Sequence, residues 1–461
     1  MIDGAPVIVA HEMGLFRKFG VRVRLGREAG WASIRDRLIH QEIVGAHAPA
    51  SMAFALRCGL GSLAVPCLTA IVLAHNGSAI TLSQTLKRAG AVDPLSLAEV
   101  VRRSGASRRY RFAAVFEYAT QHVNLRRWLA AGGVLGRQIK VIKEDGASDW
   151  PTFAEKAKKL LVKDKVASVF GCWTSASRKA VLPVFEKENG MLYYPTFYEG
   201  LEQSKNVIYT GQEATQQIIA GLDWIAKEKK AKTFYLIGSD YIWPRTSAKI
   251  ARKHIENVLK GTVVGEEFYA LGHTQFGSLI NKIKLKKPDV IYAIVVGGSN
   301  VSFYKQLKAA GITSDKQTLL TISVTEDEVL GIGGENLTGF YSAMKYFQSQ
   351  DNPNNAAFVK AFKEKYGEKS VIGDVTQAGY LGPWLWKATV EKAGSFDVDK
   401  IAAASSGVEF KGAPEGYVRI HDTNHHLWSK LRIGQWSTDG QAKVLYESAL
   451  IEPDPFPKGY Q

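Results

Sequence analysis

This 461-residue sequence has few cysteines and no long apolar run, and its start lacks the pattern of a secretory leader. The three cysteines, Cys58, Cys67 and Cys172, are isolated, which argues against a disulfide framework and against a zinc site. No run of about 18 apolar residues occurs, so no segment is expected to enter a membrane. The start of the chain lacks the basic region and apolar core of a secretory signal. The sequence therefore predicts a globular protein and leaves its compartment open.

The net charge of +15 is distributed unevenly between two parts of the chain. Residues 1–136 contain 15 Arg and 2 Lys, whereas residues 137–461 contain 6 Arg and 36 Lys. Folding does not require such a switch inside one domain, so we place a composition boundary near residue 136. The densest basic cluster, Arg102–Arg111, contains a Ser-Gly-Ala-Ser stretch and only one aromatic residue. This pattern favours a solvated loop over a nucleic-acid site.

The stretch that begins at Val166 has the pattern of a strand, a polar turn and a helix. Val166–Phe170 is β-branched and aromatic, and helical periodicity begins at Arg178. The turn between them contains Trp173, Thr174 and Ser175. In an open parallel sheet, such a turn lies at the carboxyl edge of the strand and directs N–H groups and hydroxyls to a crevice. The stretch therefore predicts a ligand site.

Further along, buried apolar runs alternate with amphipathic helical segments, which is typical of parallel sheets covered on both faces. Period-two alternation in residues 416–434 predicts an antiparallel hairpin near the end of the chain. Strands are also predicted at Pro6–Ala10, Val21–Leu25 and Gln138–Lys143. The predicted fold class is α/β.

Aromatic rings and neutral hydroxyls recur after several predicted strands. The candidate ligand-binding residues are Trp173, Thr174, Ser175, Tyr194, Thr196, Tyr241, Trp243 and Thr325. A small, planar, uncharged solute such as urea or a short amide stacks on rings, while its C=O and NH₂ edges require hydrogen bonds. An amino acid would also need a carboxylate for its ammonium group, which Glu326 or Asp374 could supply. Core packing is an equal alternative for any single ring, but the repeated placement predicts a pocket.

Several motifs occur in order in the second part of the chain. They are Phe170-Gly-Cys-Trp-Thr-Ser, Tyr194-Pro-Thr-Phe-Tyr-Glu-Gly, Gly238-Ser-Asp-Tyr-Ile-Trp-Pro-Arg, Asn424-His-His-Leu and Glu452-Pro-Asp-Pro-Phe-Pro. With them, residues 134–461 resemble the urea-binding proteins of urea ABC transporters and the cytoplasmic amide-sensing regulators. The resemblance implies a type I periplasmic-binding-protein fold, in which two Rossmann-like lobes close on a ligand by hinge motion. It also implies a ligand lining of Ser175, Tyr194, Thr196, Tyr241 and Thr325, with Trp173 and Trp243 where relatives keep aromatic residues.

A second resemblance covers the first part of the chain. Its motifs are Gly30-Trp-Ala-Ser-Ile-Arg-Asp-Arg-Leu, Asn76-Gly-Ser-Ala-Ile-Thr and Leu125-Arg-Arg-Trp-Leu-Ala-Ala-Gly-Gly. Residues 1–133 thereby resemble the nitrate-binding proteins of ABC transporters and their cytoplasmic nitrate-sensor relatives, which implies a partial type II binding-protein lobe. By this resemblance Trp31, Ser78 and His122 stand at or beside the anion site. Without the second lobe an oxyanion would stay exposed to water, so we do not expect nitrate binding, and Trp31 can instead be a packing residue.

We therefore predict a chimera of two domains. Residues 1–109 form the partial nitrate-binding-like lobe, and residues 110–461 form the type I domain, with residues 110–133 supplying its first β-α unit. The predicted function is that of a solute-binding component of an ABC transporter, which binds urea or a short amide and has permease subunits as partners. The resemblance implies a periplasmic location, although the missing signal pattern leaves a cytoplasmic one open.

Two alternatives to transport stay open, a cytoplasmic amide, urea or nitrate sensor that regulates a partner protein and a recombined, inactive binding protein. An enzyme is not predicted, because the sequence contains neither a nucleophile–base pair nor a phosphate-binding loop. No metal or other cofactor is predicted either. His421, His425 and His426 lack the acidic or cysteine partners of a metal site.

Overall fold

A computed structural model describes the chain in two units, residues 1–141 and 142–461. The described residues are 5–26, 31–48, 50–59, 63–66, 84–91, 93, 96–97, 99–100 and 139–461. The proposed β-α unit at residues 110–133 lies outside this described part. None of the described helices has the length and apolar character needed to cross a bilayer.

The described residues of the first unit form short helices. They are α1 (Ala5–Glu12), α2 (Leu15–Lys18), α3 (Trp31–Ile39), α4 (Ala50–Cys58) and α5 (Gln84–Arg88). Met52 and Leu56 of α4 are buried, and Ile34 and Leu38 of α3 pack against them. The apolar faces of these two helices therefore form a small local core.

Two strands predicted in the first unit are wrong. Pro6–Ala10 lies inside α1, because a continuous apolar run also suits a helix and a proline is tolerated in the first helical turn. Val21–Leu25 forms no strand in the described structure. Its alternation is insufficient because a strand is stabilised only by pairing with another.

The second unit contains two sheets, of which the first is small and parallel. Its strands, in spatial order, are β1 (Val169–Phe170), β2 (Leu192–Tyr194) and β3 (Val207–Tyr209). Leu192 pairs in register with Val169 on one side and Val207 on the other. The strand predicted at Gln138–Lys143 is wrong over its described residues 139–143, which join no ladder and expose Val141.

The second sheet is larger and mixed. Its strands are β4 (Thr233–Ser239), β5 (Thr262–Tyr269), β6 (Val290–Ile294), β7 (Thr318–Thr321), β8 (Tyr341–Met344), β9 (Arg419–Ile420), β10 (Leu427–Trp436) and β11 (Ala442–Ile451). The order is β11-β10-β8-β7-β6-β4-β5, with β9 beside β10. Strands β4 to β8 are parallel, whereas β10 pairs antiparallel with β8, β9 and β11. The α/β class and the antiparallel end are therefore confirmed.

Helices cover both sheets. They are α6 (Trp150–Lys158), α7 (Ser175–Lys187), α8 (Ala220–Lys229), α9 (Ile242–Asn257), α10 (Gly277–Lys286), α11 (Ser299–Ala309), α12 (Glu326–Ile332), α13 (Pro353–Tyr366), α14 (Asp374–Ala393) and α15 (Val398–Ser405). One-turn π-helices follow α6 at Lys159–Lys163 and precede α8 at Thr215–Ile219, and a 3₁₀ turn spans Gly334–Asn336. Strand β6 is buried on both faces, as a parallel sheet between helix layers requires.

The chain passes between the two sheets three times. It leaves β3 for the second sheet through residues 210–214, and it returns after β8 so that α14 packs on β1 and β2. There Phe170 and Trp386 meet edge to face, with ring centres 6.1 Å apart. The third passage runs beside β3, where Tyr209 N donates to His425 O at 3.0 Å. Three such connections produce two lobes with a cleft between them.

Candidate functional site

The turn after β1 brings the first candidate residues to the cleft. Gly171 and Cys172 both have positive φ, at 152° and 60°, which redirects the chain before α7. Thr174 is the N-cap of α7, and its Oγ1 accepts from Ser177 N at 3.0 Å. Ser175 is therefore fixed as the first residue of the helix.

A small pocket lies where the ends of β1 and β2 approach the end of β4. It is lined by Trp173, Ser175, Thr196, Phe197, Tyr241 and Trp243, and its free volume is about 10 Å³. A cavity of this size holds about one water molecule. Even a small solute therefore needs the lobes or these side chains to move apart before it can enter.

Aromatic rings form most of the pocket wall. The ring centres of Phe197 and Trp243 are 5.4 Å apart, and both side chains are buried. Trp173 is 37% exposed, so it stands at the solvent side of the pocket. Burial raises the pKa of Tyr241 above its ordinary value, so its hydroxyl stays neutral. The wall thus offers flat apolar surfaces and no ionised group.

Two polar atoms of the lining residues are buried without a hydrogen-bond partner among the described residues. They are Trp243 Nε1, which can only donate, and Thr196 Oγ1, which can donate or accept. A buried polar group left unpaired costs about 1–3 kcal/mol. None of the six lining side chains carries a charge. The pocket therefore has neutral hydrogen-bonding capacity that a solute could satisfy.

A buried ionic network lies directly behind Ser175. Ser175 Oγ donates to Glu199 Oε2 at 2.6 Å and accepts from Arg178 Nη1 at 3.1 Å. Arg178 Nε also donates to Glu202 Oε1 at 2.8 Å, and Lys179 Nζ lies 2.9 Å from Glu202 Oε2. Burial acts to raise the pKa of Glu202, but the two cations outweigh it and lower the pKa below its ordinary value. Two cations thus face two carboxylates.

Three of the predicted residues do not line this pocket, because their hydroxyls are bonded elsewhere in the protein. Thr174 caps α7, as described above. Tyr194 OH donates to the carbonyl of Trp173 at 3.0 Å. Thr325 Oγ1 donates to Glu328 Oε2 at 2.7 Å in the capping box of α12. A ligand role for these three residues stays a prediction.

Sequence reasoning missed Phe197 and the ionic network. Phe197 lies inside the Tyr194-Pro-Thr-Phe-Tyr-Glu-Gly motif, so its place after β2 was the available signal. Glu199 is 24 residues from Ser175 and Arg178 is one helical turn from it. The Ser175–Arg178 spacing is a local helical pattern, but the Ser175–Glu199 contact is long-range. The network was therefore not predicted from the sequence.

Residues of the nitrate-type prediction are largely outside the described structure. Helix α3 begins at Trp31, whose side chain, like the whole of Ser78 and His122, lies outside the described part. The role of these three residues therefore stays a prediction.

His426 and Cys172 are both poorly suited to metal binding or nucleophilic chemistry. His426 Nε2 lies 2.5 Å from Tyr198 OH, and His426 Nδ1 lies 2.6 Å from Asn424 O. Within the described ranges, no group of three His, Cys, Asp or Glu side chains could hold a metal ion. Burial raises the pKa of the Cys172 thiol to about 12, which keeps it protonated near neutral pH.

Two known families match this chain, over ranges that overlap. The family described as periplasmic binding protein domain matches residues 114–461. The NMT1-like family matches residues 1–148. Residues 130–133, which end the last motif of the nitrate-type resemblance, lie in the overlap.

Curated relatives match only part of the chain. A limonene hydroxylase from Geobacillus stearothermophilus is 35% identical over 117 residues, which is 25% of this chain and 21% of that protein. The nitrate import ATP-binding protein NrtC from Synechocystis is 35% identical over 136 residues, 29% of this chain and 20% of that protein. The chain thus spans about a fifth of the length of these relatives.

Solved structures share the fold of the larger unit. A solute-binding protein of an ABC transporter from Rhodopseudomonas palustris HaA2, in complex with p-hydroxybenzoic acid, superimposes with a TM-score of 0.64. It is 24% identical, and the match covers 72% of this chain and 91% of that one. Together with the two sheets and three passages, this similarity confirms the predicted type I binding-protein fold.

Proposed function

The chain belongs to the periplasmic binding protein domain family through residues 114–461, and on that premise we propose that it is the solute-binding component of an ABC transporter. The supporting features are the two-lobed fold and the pocket between strand ends of its two sheets. In this function the protein binds its solute without chemical conversion, on the periplasmic side, and delivers it to permease subunits. Closure of the two lobes about the three passages would enclose the solute.

We propose urea or a short amide as the solute. The observation that carries this proposal is the pair of buried, unpartnered polar atoms, Thr196 Oγ1 and Trp243 Nε1, inside a wall of aromatic rings. A carbonyl oxygen would accept from Trp243 Nε1, and its planar group would stack between rings. Satisfying both atoms inside a water-poor pocket removes their unpaired cost, which favours binding.

Carboxylate and zwitterionic solutes fit the same pocket less well. Their charges would need a counter-ion, and none of the six lining residues supplies one. Arg178 is fully buried, and its guanidinium is already bonded to Ser175, Glu199 and Glu202. Glu326 and Asp374, considered above as ammonium partners, are not among the lining residues. A neutral solute therefore matches the described lining better than benzoates or amino acids.

Calorimetric titration of the full chain tests this proposal. Wild-type protein is titrated with urea, acetamide, 4-hydroxybenzoate and leucine, and the variants Trp243→Phe and Thr196→Val are titrated with the ligand that binds. Trp243→Phe keeps an aromatic ring and removes only the donor, so amide affinity should fall about tenfold, equivalent to about 1.4 kcal/mol. Saturable binding of 4-hydroxybenzoate or leucine without urea or acetamide would refute the amide assignment while keeping the transport proposal.

A further inference from the structure

We propose that Glu199 and Arg178 are positioning residues that hold the Ser175 hydroxyl as a hydrogen-bond acceptor toward the pocket, so that the site selects solutes with an N–H donor over carboxylates. This inference rests on the function proposed above. It concerns the direction of a single proton, which decides whether a pocket atom attracts an amide N–H or a carboxylate oxygen.

Glu199 takes the proton of Ser175. The Oγ–Oε2 distance is 2.6 Å, and both side chains are 2% exposed. Glu199 is also ion-paired with Arg178, whose Nη2 lies 3.4 Å from Glu199 Oε1. An ion-paired carboxylate only accepts hydrogen bonds, so the hydroxyl of Ser175 must be the donor in this contact. Its proton is therefore directed away from the pocket.

Arg178 occupies one of the two lone pairs of Ser175. Its Nη1 donates to Ser175 Oγ at 3.1 Å. A hydroxyl has one proton and two lone pairs, so one lone pair remains for the pocket that Ser175 lines. That lone pair attracts an N–H group and repels a carboxylate oxygen, which has no proton to donate.

The network holds this orientation rigidly. Arg178 is fully buried between two rings, 4.8 Å from the centre of Tyr194 and 4.3 Å from that of Tyr198. Its other donors go to Glu202, whose second oxygen bonds Lys179. Rotating the Ser175 hydroxyl toward the pocket would leave a buried carboxylate oxygen of Glu199 without its closest donor, and such unpaired groups are costly. The hydroxyl therefore keeps one direction whether or not a solute is present.

The lining thus combines an acceptor, Ser175 Oγ, with a donor, Trp243 Nε1. A primary amide and urea carry one group of each kind, whereas a carboxylate carries acceptors only. Acetamide and acetate have nearly the same shape and differ in this respect and in charge. We expect the wild-type protein to bind acetamide at least tenfold more tightly than acetate.

The test measures the acetamide-to-acetate affinity ratio by calorimetry in the full chain. The variant Glu199→Gln replaces an obligate acceptor with an amide that can donate to Ser175 Oγ, which frees the hydroxyl proton for the pocket. We expect acetamide affinity to fall, acetate affinity to rise and their ratio to shrink about tenfold. Glu228→Gln, at an exposed position of α8, is the matched control and should keep the wild-type ratio.

A second variant covers the case in which Glu199→Gln fails to fold. Ser175→Ala removes the acceptor itself, so it should weaken acetamide at least fivefold and leave acetate unchanged or tighter. A merely structural role of the network would weaken both ligands equally and keep the ratio.

Each outcome is decisive. A ratio that shrinks in Glu199→Gln supports the inference, and if that variant does not fold, a ratio that shrinks in Ser175→Ala supports it. A wild-type preference for acetamide that folded Glu199→Gln retains, or that Ser175→Ala retains, overturns the inference and leaves the proposed function standing. A wild-type preference for acetate overturns the acceptor role of Ser175, and the absence of binding by both ligands and by urea overturns the amide function together with the inference.

Discussion

The guanidinium carbon of Arg178 lies 4.3 Å from the centre of the Tyr198 ring, and both side chains are fully buried. The same arginine forms ion pairs with Glu199 and Glu202. The Arg178–Tyr198 contact thus lies at the centre of a charged network that the protein keeps away from water, immediately behind its pocket. Burial of charge is tolerated only when every member is paired.

Replacing Arg178 with leucine should therefore destabilise the protein severely. The variant leaves the buried Glu199 without its cation and Glu202 with only the partly exposed Lys179, and we expect the free energy of unfolding to fall by about 3–5 kcal/mol. Guanidinium chloride unfolding is the suitable measurement, because urea is a proposed ligand. Lys205→Ala, which breaks the exposed pair with Asp399, is the control and should change stability by less than about 1 kcal/mol. Equal effects of the two variants would contradict the account.

Gly211→Ala should disrupt the pocket wall. A Cβ at this position would lie 2.2 Å from the backbone carbon of Thr196 and 2.5 Å from the backbone nitrogen of Phe197, so the segment after β2 must move. We expect a loss of about 1–3 kcal/mol in stability and weaker binding of acetamide. The comparison is Gly379→Ala in α14, where nothing lies within 4 Å of the added atom. That variant should be neutral or more stable by up to ~1 kcal/mol, and unchanged binding by Gly211→Ala would refute the role of this wall.

The fold was largely predictable, because alternation of buried runs with helices identifies a parallel sheet without knowledge of contacts. Thr174 shows why the site was predicted less completely. A threonine after a strand can point into a cleft or cap the following helix, and the sequence pattern is the same in both cases. Tyr194 was ambiguous in the same way, since its partner is a carbonyl 21 residues away. The choice depends on which partner the tertiary structure provides.

Pro6–Ala10 was predicted as a strand for a similar reason. Five apolar residues in a row fit a buried strand or a buried helix, and length and partners decide between them. In contrast, the start of α6 depends on a local contact, because the carboxylate of Asp149 accepts from Thr152 N within the same turn. Local hydrogen bonding can be predicted from sequence, whereas long-range pairing cannot.

Stability should fall with rising pH through the titration of Glu213. Burial raises the pKa of this carboxyl to about 8, although Thr215 N donates to it at 2.7 Å. Between the ordinary value of 4.5 and about 8, the folded protein holds a proton that the unfolded chain releases. The contribution of Glu213 to the free energy of unfolding should therefore decrease by up to about 1.4 kcal/mol for each unit of pH in that window. Guanidinium unfolding of Glu213→Gln from pH 5 to 8 should reduce this slope, while Glu326, whose pKa burial also raises to about 8, keeps its own share. An identical slope in both proteins would contradict the role of Glu213.

The titration of His426 should make the protein less stable as the pH falls, which is opposite to the effect of Glu213. Burial lowers its pKa to about 3, and its ring stacks on Tyr209 with centres 4.2 Å apart. Between about pH 6.5 and 3 the unfolded chain binds a proton that the folded protein excludes, so stability falls as the pH falls. His426→Phe keeps the stack and removes the titrating group. Its unfolding free energy should depend less on pH than that of the wild type below pH 6.5, and a steeper acid loss would be the contrary result.

A crystal structure of the full chain grown with saturating acetamide would show whether this pocket binds amides. We expect electron density for one acetamide between Trp173, Tyr241 and Trp243, with its oxygen within hydrogen-bond distance of Trp243 Nε1 and its nitrogen near Ser175 Oγ. Density for acetamide elsewhere in the cleft, with this pocket filled only by side chains or water, would contradict it.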